Sequence, residues 1–205
     1  MNTLDGFHVS RIDPAIFARI KGRSYKEDCT LPLEDLRYLR LLHKDLTGET
    51  LLGEMICNAA IAADIIDIFQ TLYKENYPIE KIRLVDEYNA DDEGSMEDNN
   101  SSCFNFRRIS HTTKVSKHGL GVAVDINPLY NPYIKYVEGK RILEPATAEK
   151  YLNRDLSFPY KIDENSLCCK LFIKHGFEWG GNWTDRKDYQ HFELPDRVMQ
   201  AMYGG

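Results

Sequence analysis

The sequence predicts an α+β protein: a single domain over 1–205, with a small antiparallel sheet and flanking helices. Three observations carry this. Short apolar runs of strand length recur along the chain, one long stretch has the periodicity of an amphipathic helix, and strands do not alternate regularly with helices as a doubly wound parallel sheet requires. The chain of 205 residues is long enough to bury a real core, and 42% hydrophobic with 28% charged residues excludes a disordered chain.

Residues 1–50 read as an N-terminal embellishment; the first thirty or so have weak periodicity and are broken up by Pro14, Gly22 and Pro32. "LRYLRLLHKDLTGETLLGEMICN", residues 36–58, has apolar residues on both sides of Asp45-Leu46-Thr47-Gly48. That is turn chemistry, so a β-hairpin is expected, with a short helix from Leu33 as the rival for its first arm. Asn58 then reads as a helix cap. Ile61, Ile65, Ile68, Phe69, Leu72 and Tyr73 recur at three- and four-residue steps up to Pro78.

"KIRLVDEY", residues 81–88, reads as a strand. Residues 89–108 are polar and turn-rich. A long irregular stretch inside a compact domain points to function more than to a linker. In "GVAVDI" the side-chain period of two puts Ala123 and Asp125 on one face and Val122, Val124 and Ile126 on the other. "INPLYNPYIKYVEGKRILEP", with three prolines and several aromatics, reads as an ordered loop. A helix is expected from Ser166 with Gly176 just past its end, and "DYQHFEL" reads as the final strand.

Composition excludes some functions. The net charge is −6 and no basic stretch accumulates, so no nucleic-acid partner is expected. No apolar run approaches a membrane span, and the first residues show no basic start followed by an apolar block, so no secretory signal is visible. Five cysteines at irregular spacing give neither a disulfide framework nor a zinc ribbon.

The chemistry-bearing residues fall in two places. His118 and Asp125 flank a turn lightened by Gly119 and Gly121, so both side chains can enter one pocket. Far along the chain, "EWGGNWTDRKDYQHFE" holds His191 on a strand, with Asp188 three residues before it and the bulky Trp179 and Trp183 on the approach. Two imidazoles and one carboxylate make a good zinc site with a position left for water, and a further carboxylate beside it suits a general base. The bland alternatives are a turn-forming Asp188 and an exposed strand residue at Glu193. His8 and His43 have no partner pattern, His111 is placed to line a cleft, and His175 sits at a helix end where a cation suits the dipole; all four read as structural or surface residues.

The paired motifs Ser116-x-His118-x-x-Gly121-x-Ala123-x-Asp125 and Asp188-x-x-His191 closely resemble the zinc D-Ala-D-Ala carboxypeptidase family, which also holds D-Ala-D-Ala dipeptidases and L-alanyl-D-glutamate endopeptidases. The resemblance covers about Ile82 to Glu193, within a peptidase core of 80–195. It implies the zinc fold shared by DD-peptidases and the hedgehog signalling domain, with Zn2+ as cofactor. His118, Asp125 and His191 would be the zinc ligands, Asp188 the general base, and Arg107 the arginine that steadies the oxyanion and binds substrate. Arg108 is the rival of Arg107. Ser116 would hydrogen-bond the substrate, with Trp183 beside it. Many members have Glu where this chain has Asp188.

The resemblance further implies peptidoglycan stem peptides or muropeptides as substrate and action at the cell envelope. D-Ala-D-Ala carboxypeptidase is the first reading and L-alanyl-D-glutamate endopeptidase the second. A non-catalytic zinc-bearing peptide-binding module is the alternative of another class. Oligomeric state is left open.

Overall fold

The computed structural model describes residues 5–109 and 112–203. It is an α+β fold with antiparallel sheets and flanking helices. In chain order the elements are β1 (His8–Arg11), α1 (Pro14–Ile20), β2 (Leu36–Lys44), β3 (Thr50–Asn58), α2 (Ala62–Lys74), β4 (Lys81–Ile82), α3 (Asp92–Glu97), β5 (Asn100–Ser101) and β6 (Ala123–Asp125). They continue as β7 (Tyr133–Val137), β8 (Lys140–Glu144), α4 (Leu167–Lys174), β9 (Glu178–Trp179), β10 (Arg186–Asp188), β11 (His191–Glu193) and α5 (Asp196–Tyr203). Three antiparallel sheets run β1-β2-β3, β10-β7-β8 and β6-β11-β9, and β4 pairs with β5 in parallel.

The expected hairpin is β2–β3, paired without a break from Leu36↔Asn58 to Lys44↔Thr50. Its turn closes because Asp45 Oδ1 accepts hydrogen bonds from the Thr47 and Glu49 amides, an Asx-type turn that stands in for backbone pairing. The rival helix at Leu33 amounts to one 3-10 turn, Leu33–Asp35. Leu39, Leu41, Met55 and Cys57 of this hairpin pack against Ile65, Ile68, Phe69 and Leu72 of α2. Phe7, ahead of β1, joins the same cluster, so residues from the first fifty share the core with those of the site.

Helix α2 starts later than expected. Asn58 is the last residue of β3, and its Oδ1 accepts the Ala60 amide to turn the chain before the helix begins. The expected strand at 81–88 stops after Ile82, because the Arg83 amide bonds to Asn100 Oδ1 and Val85–Tyr88 coil into a 3-10 turn. Helix α4 is capped by Ser166 and followed by Gly176 at φ +85°, as the spacing predicts.

The expected ordered loop at 126–145 contains a β-hairpin instead. β7 and β8 pair from Tyr133↔Glu144 to Val137↔Lys140 around Glu138-Gly139, both at positive φ. That is the two-residue turn whose twist matches antiparallel strands. Glu in its first position is a weak turn signal, which hid the hairpin in the sequence.

The β6–β11 pair divides the fold into a dry side and a chemical side. Val124 and Phe192 are cross-strand partners that face the core, where Phe192 stacks on Phe172 at 4.2 Å. Full burial of such a ring contributes about 1.5–3 kcal/mol. The next residues along, Asp125 and His191, face the other way, as the period of two requires.

Candidate active site

Asp125 and His191 are directly opposite each other across β6 and β11, so strand register alone brings two of the expected ligands together. His191 Nδ1 lies 3.0 Å from Asp125 Oδ1. His118 reaches the same point from the preceding turn, with Nε2 at 3.2 Å from Asp125 Oδ2 and 3.2 Å from His191 Nδ1. One ligand atom from each residue lies within 4.8 Å of the others.

The turn that delivers His118 needs glycine at 121. Gly121 sits at φ +67°, and a Cβ there would meet the Asn58 amide nitrogen at 2.8 Å, which is backbone and cannot swing aside. Ser116 braces the turn by accepting the Gly119 amide on Oγ at 2.9 Å. The segment after β5 wraps the other side. Ser102 exchanges both backbone hydrogen bonds with Asp125, the Cys103 carbonyl accepts from His118 Nδ1 at 2.7 Å, and the Asn105 amide donates to the His118 carbonyl. The polar stretch 89–108 is thus built into the site, and it contains helix α3, which its turn-rich composition concealed.

Asp188 arrives by a different route. It ends β10, which pairs with β7, so Tyr133 is its cross-strand partner. The hairpin missed in the sequence therefore carries the expected base. Gly180 lets the 3-10 turn Gly180–Asn182 press against it, since a Cβ there would meet the Asp188 carbonyl at 2.6 Å. Asp188 Oδ1 is shut off from solvent and accepts no hydrogen bond among the described residues. Burial pushes its carboxyl up to about 7; His191 pulls the other way, and Asp125 and Glu144 add to the rise.

These side chains line a cleft of about 490 Å³ that also includes Arg107, Ser116 and Trp183. The Arg107 guanidinium pairs with Asp92 of α3 at 2.7 Å and borders a small recess beside His118 and Asp125. Arg108 also reaches the cleft, but its guanidinium donates to the Thr113 carbonyl at 2.8 Å, with Asp28 on its far side at 3.8 Å. The Trp183 ring lies 5.4 Å from His191, with the Arg186 guanidinium 4.2 Å above it. His111 lies outside the described residues.

Residues 110–194 match the family model of the D-alanyl-D-alanine carboxypeptidases. The matched stretch contains His118, Asp125, Asp188 and His191 and stops short of Arg107, so the carboxypeptidase likeness expected from Ile82 onward is found from residue 110. No solved structure gives a significant match.

The donor set suits the metal that such carboxypeptidases imply. Each imbedded imidazole turns one nitrogen to the cluster and has its other nitrogen anchored, His118 by the Cys103 carbonyl and His191 by Glu193 Oε2 at 2.9 Å. That outer anchoring fixes tautomer and ring angle in metal sites. The field is cation-seeking. Burial alone would raise the Asp125 carboxyl, but the two imidazoles override it and hold it well below the usual carboxylate range. Burial disfavours an imidazolium at His191, yet Asp125 and Glu193 outweigh it and raise its pKa to about 10. A field that holds a proton so firmly also favours a metal cation.

The bland reading of Glu193 as an exposed strand residue does not hold: its side chain is 19% exposed and accepts a hydrogen bond from His191 Nε2. The signal was present. It stands two residues after His191, on the same strand face, and the period of two applied to Ala123 and Asp125 would have found it.

Proposed function

We propose that this chain is a zinc-dependent peptidase that hydrolyses a peptide bond next to a D-amino acid in peptidoglycan stem peptides, as a D-alanyl-D-alanine carboxypeptidase. The observation that carries the reading is Asp188 beside the His118–Asp125–His191 cluster, with its Oδ1 shut off from solvent and accepting no hydrogen bond among the described residues. A peptide-binding module gains nothing from a desolvated carboxylate next to a metal; a hydrolase needs one as base. Two imidazole nitrogens and one carboxylate oxygen suit zinc.

Zinc held by His118, Asp125 and His191 would lower the pKa of a water from about 15.7 to near 7 and polarise the scissile carbonyl. The protein's own groups do the rest. Asp188 takes the proton of the attacking water and returns it to the leaving nitrogen. A carboxyl pushed up to about 7 is matched to both tasks near neutral pH. Arg107 pairs with the carbonyl oxygen as its charge grows; removal of one such donor costs roughly 3 kcal/mol of barrier. Ser116 Oγ already accepts the Gly119 amide, which leaves its proton to donate to substrate. Trp183 supplies an apolar wall. The substrate places the enzyme at the cell envelope, and no helix among the described residues is long and apolar enough to cross a membrane.

Asp rather than Glu at 188 keeps L-alanyl-D-glutamate endopeptidase as the second reading, since that branch also uses Asp. The test is purified protein on defined muropeptides, with and without chelator, read by mass spectrometry. Chelator-sensitive release of terminal D-Ala is the expected result. A cut between L-Ala and D-Glu selects the second reading. Absence of any cleavage overturns the enzyme in favour of a binding module.

A further inference from the structure

We infer that Glu193 is a positioning residue for the metal centre, itself held by Lys117, and that it sets how tightly His191 binds the metal. The inference rests on the metal-site reading above and extends it to a carboxylate outside the ligand set. Its basis is geometry. His191 Nε2 donates to Glu193 Oε2 at 2.9 Å, so Nδ1, the nitrogen nearest Asp125 and His118, is the one that would face a bound metal.

Glu193 is not a loose surface acid. Opposite it across β6 and β11 stands only the methyl of Ala123, which leaves room for a second carboxylate beside the ligands. The Lys117 side chain is 12% exposed; its Nζ lies 4.0 Å from Glu193 Oε1 and donates to the Leu194 carbonyl at 2.7 Å. The same ammonium pairs with Asp196 at the start of α5 at 2.6 Å. One turn thus supplies both a metal ligand, His118, and the cation that steadies the carboxylate behind the other imidazole. The ring of His191 is gripped on both nitrogens, and Glu193 supplies the outer grip.

The test uses the full chain, stripped of metal and titrated with zinc(II) against a chromophoric chelator. Cobalt(II) absorption then reports the ligand geometry. Glu193→Ala and Glu193→Leu remove the acceptor, the second while filling its space, and each is expected to weaken zinc binding about 10–100-fold and to change the cobalt spectrum. Glu193→Gln keeps an acceptor and is expected to recover most of the affinity. Zinc affinity within about threefold of wild type in Ala or Leu overturns the inference. So does a Gln variant as weak as Leu, because the hydrogen bond is then not the cause. If only one of Ala and Leu folds, that variant alone is compared with wild type and Gln. Wild-type protein that binds no zinc overturns the metal-centre reading itself, whereas wild type that binds and variants that match it overturn only the role of Glu193.

Discussion

The β2–β3 hairpin and the β6–β11 pair are both antiparallel, and they are stabilised in opposite ways. The hairpin pairs nine residues with nine and lays Leu39 and Leu41 on α2. The site pair joins three residues to three and places His191, Asp125 and Glu193 together on its outer face. The first gains from apolar area and full backbone pairing; the second spends its outer face on groups that repel each other unless cations or protons stand between them. Two consequences follow from the contrast: chemistry is concentrated where intrinsic stability is least, and the scaffold can hold its shape when the site is altered.

The largest effect is expected at Asp188. Asp188→Ala removes the proposed base from β10 without touching a ligand, so hydrolysis should fall about 10²–10⁴-fold. Zinc stoichiometry by elemental analysis should stay at the wild-type value, and the β2–β3 hairpin should be undisturbed. Full activity in this variant removes Asp188 from the mechanism. Loss of zinc together with activity shows that the residue supports the cluster instead, and the distinction drawn between base and ligands collapses.

Metal removal sharpens the contrast next. A ligand that binds only the folded state stabilises it by about 4 kcal/mol when present at ~1,000 times its Kd. Chelation should therefore lower the Tm, and hydrogen exchange should show where. Amides of 116–126 and 186–193 are expected to lose protection, while those of 36–44 and 50–58 keep theirs. Uniform loss across both regions means that the two pairs unfold as one unit and that the scaffold is not independent of the site.

The same contrast explains what was legible in the sequence. Periodicity exposes elements that are long and one-sided, so the β2–β3 hairpin, α2 and α4 were all visible. The site strands have three residues each, too few for a pattern, yet the His118–Asp125–His191 cluster was foreseen, because the paired motifs that hold these residues resemble those of a metal-dependent family. What stayed hidden depended on register. Nothing in "YIKYVEGKRILE" says that β7 will pair with β10 and carry Asp188 to the cleft. Lys117 and Asp92 act through partners distant in sequence, and only the folded chain shows those pairings. Glu193 was the exception, since the strand period alone puts it beside His191.

The smallest effect is expected in the scaffold, at its one buried titratable group on β2. His43 lies on the hairpin at 4% exposure, with Nδ1 donating to the Ile79 carbonyl at 2.7 Å. Burial lowers its pKa below the usual 6.5, against smaller upward pulls from that hydrogen bond and from Asp45. The unfolded chain then takes up a proton near 6.5 that the folded chain still refuses, so stability is full above that pH and declines as pH falls toward the folded value. The slope from one such group cannot exceed about 1.4 kcal/mol per pH unit. His43→Gln removes the titration, and its Tm should fall less than that of wild type between pH 7 and 5. Parallel curves would mean that His43 is not what couples the hairpin to acid, and that the apolar scaffold is as indifferent to pH as its packing alone suggests.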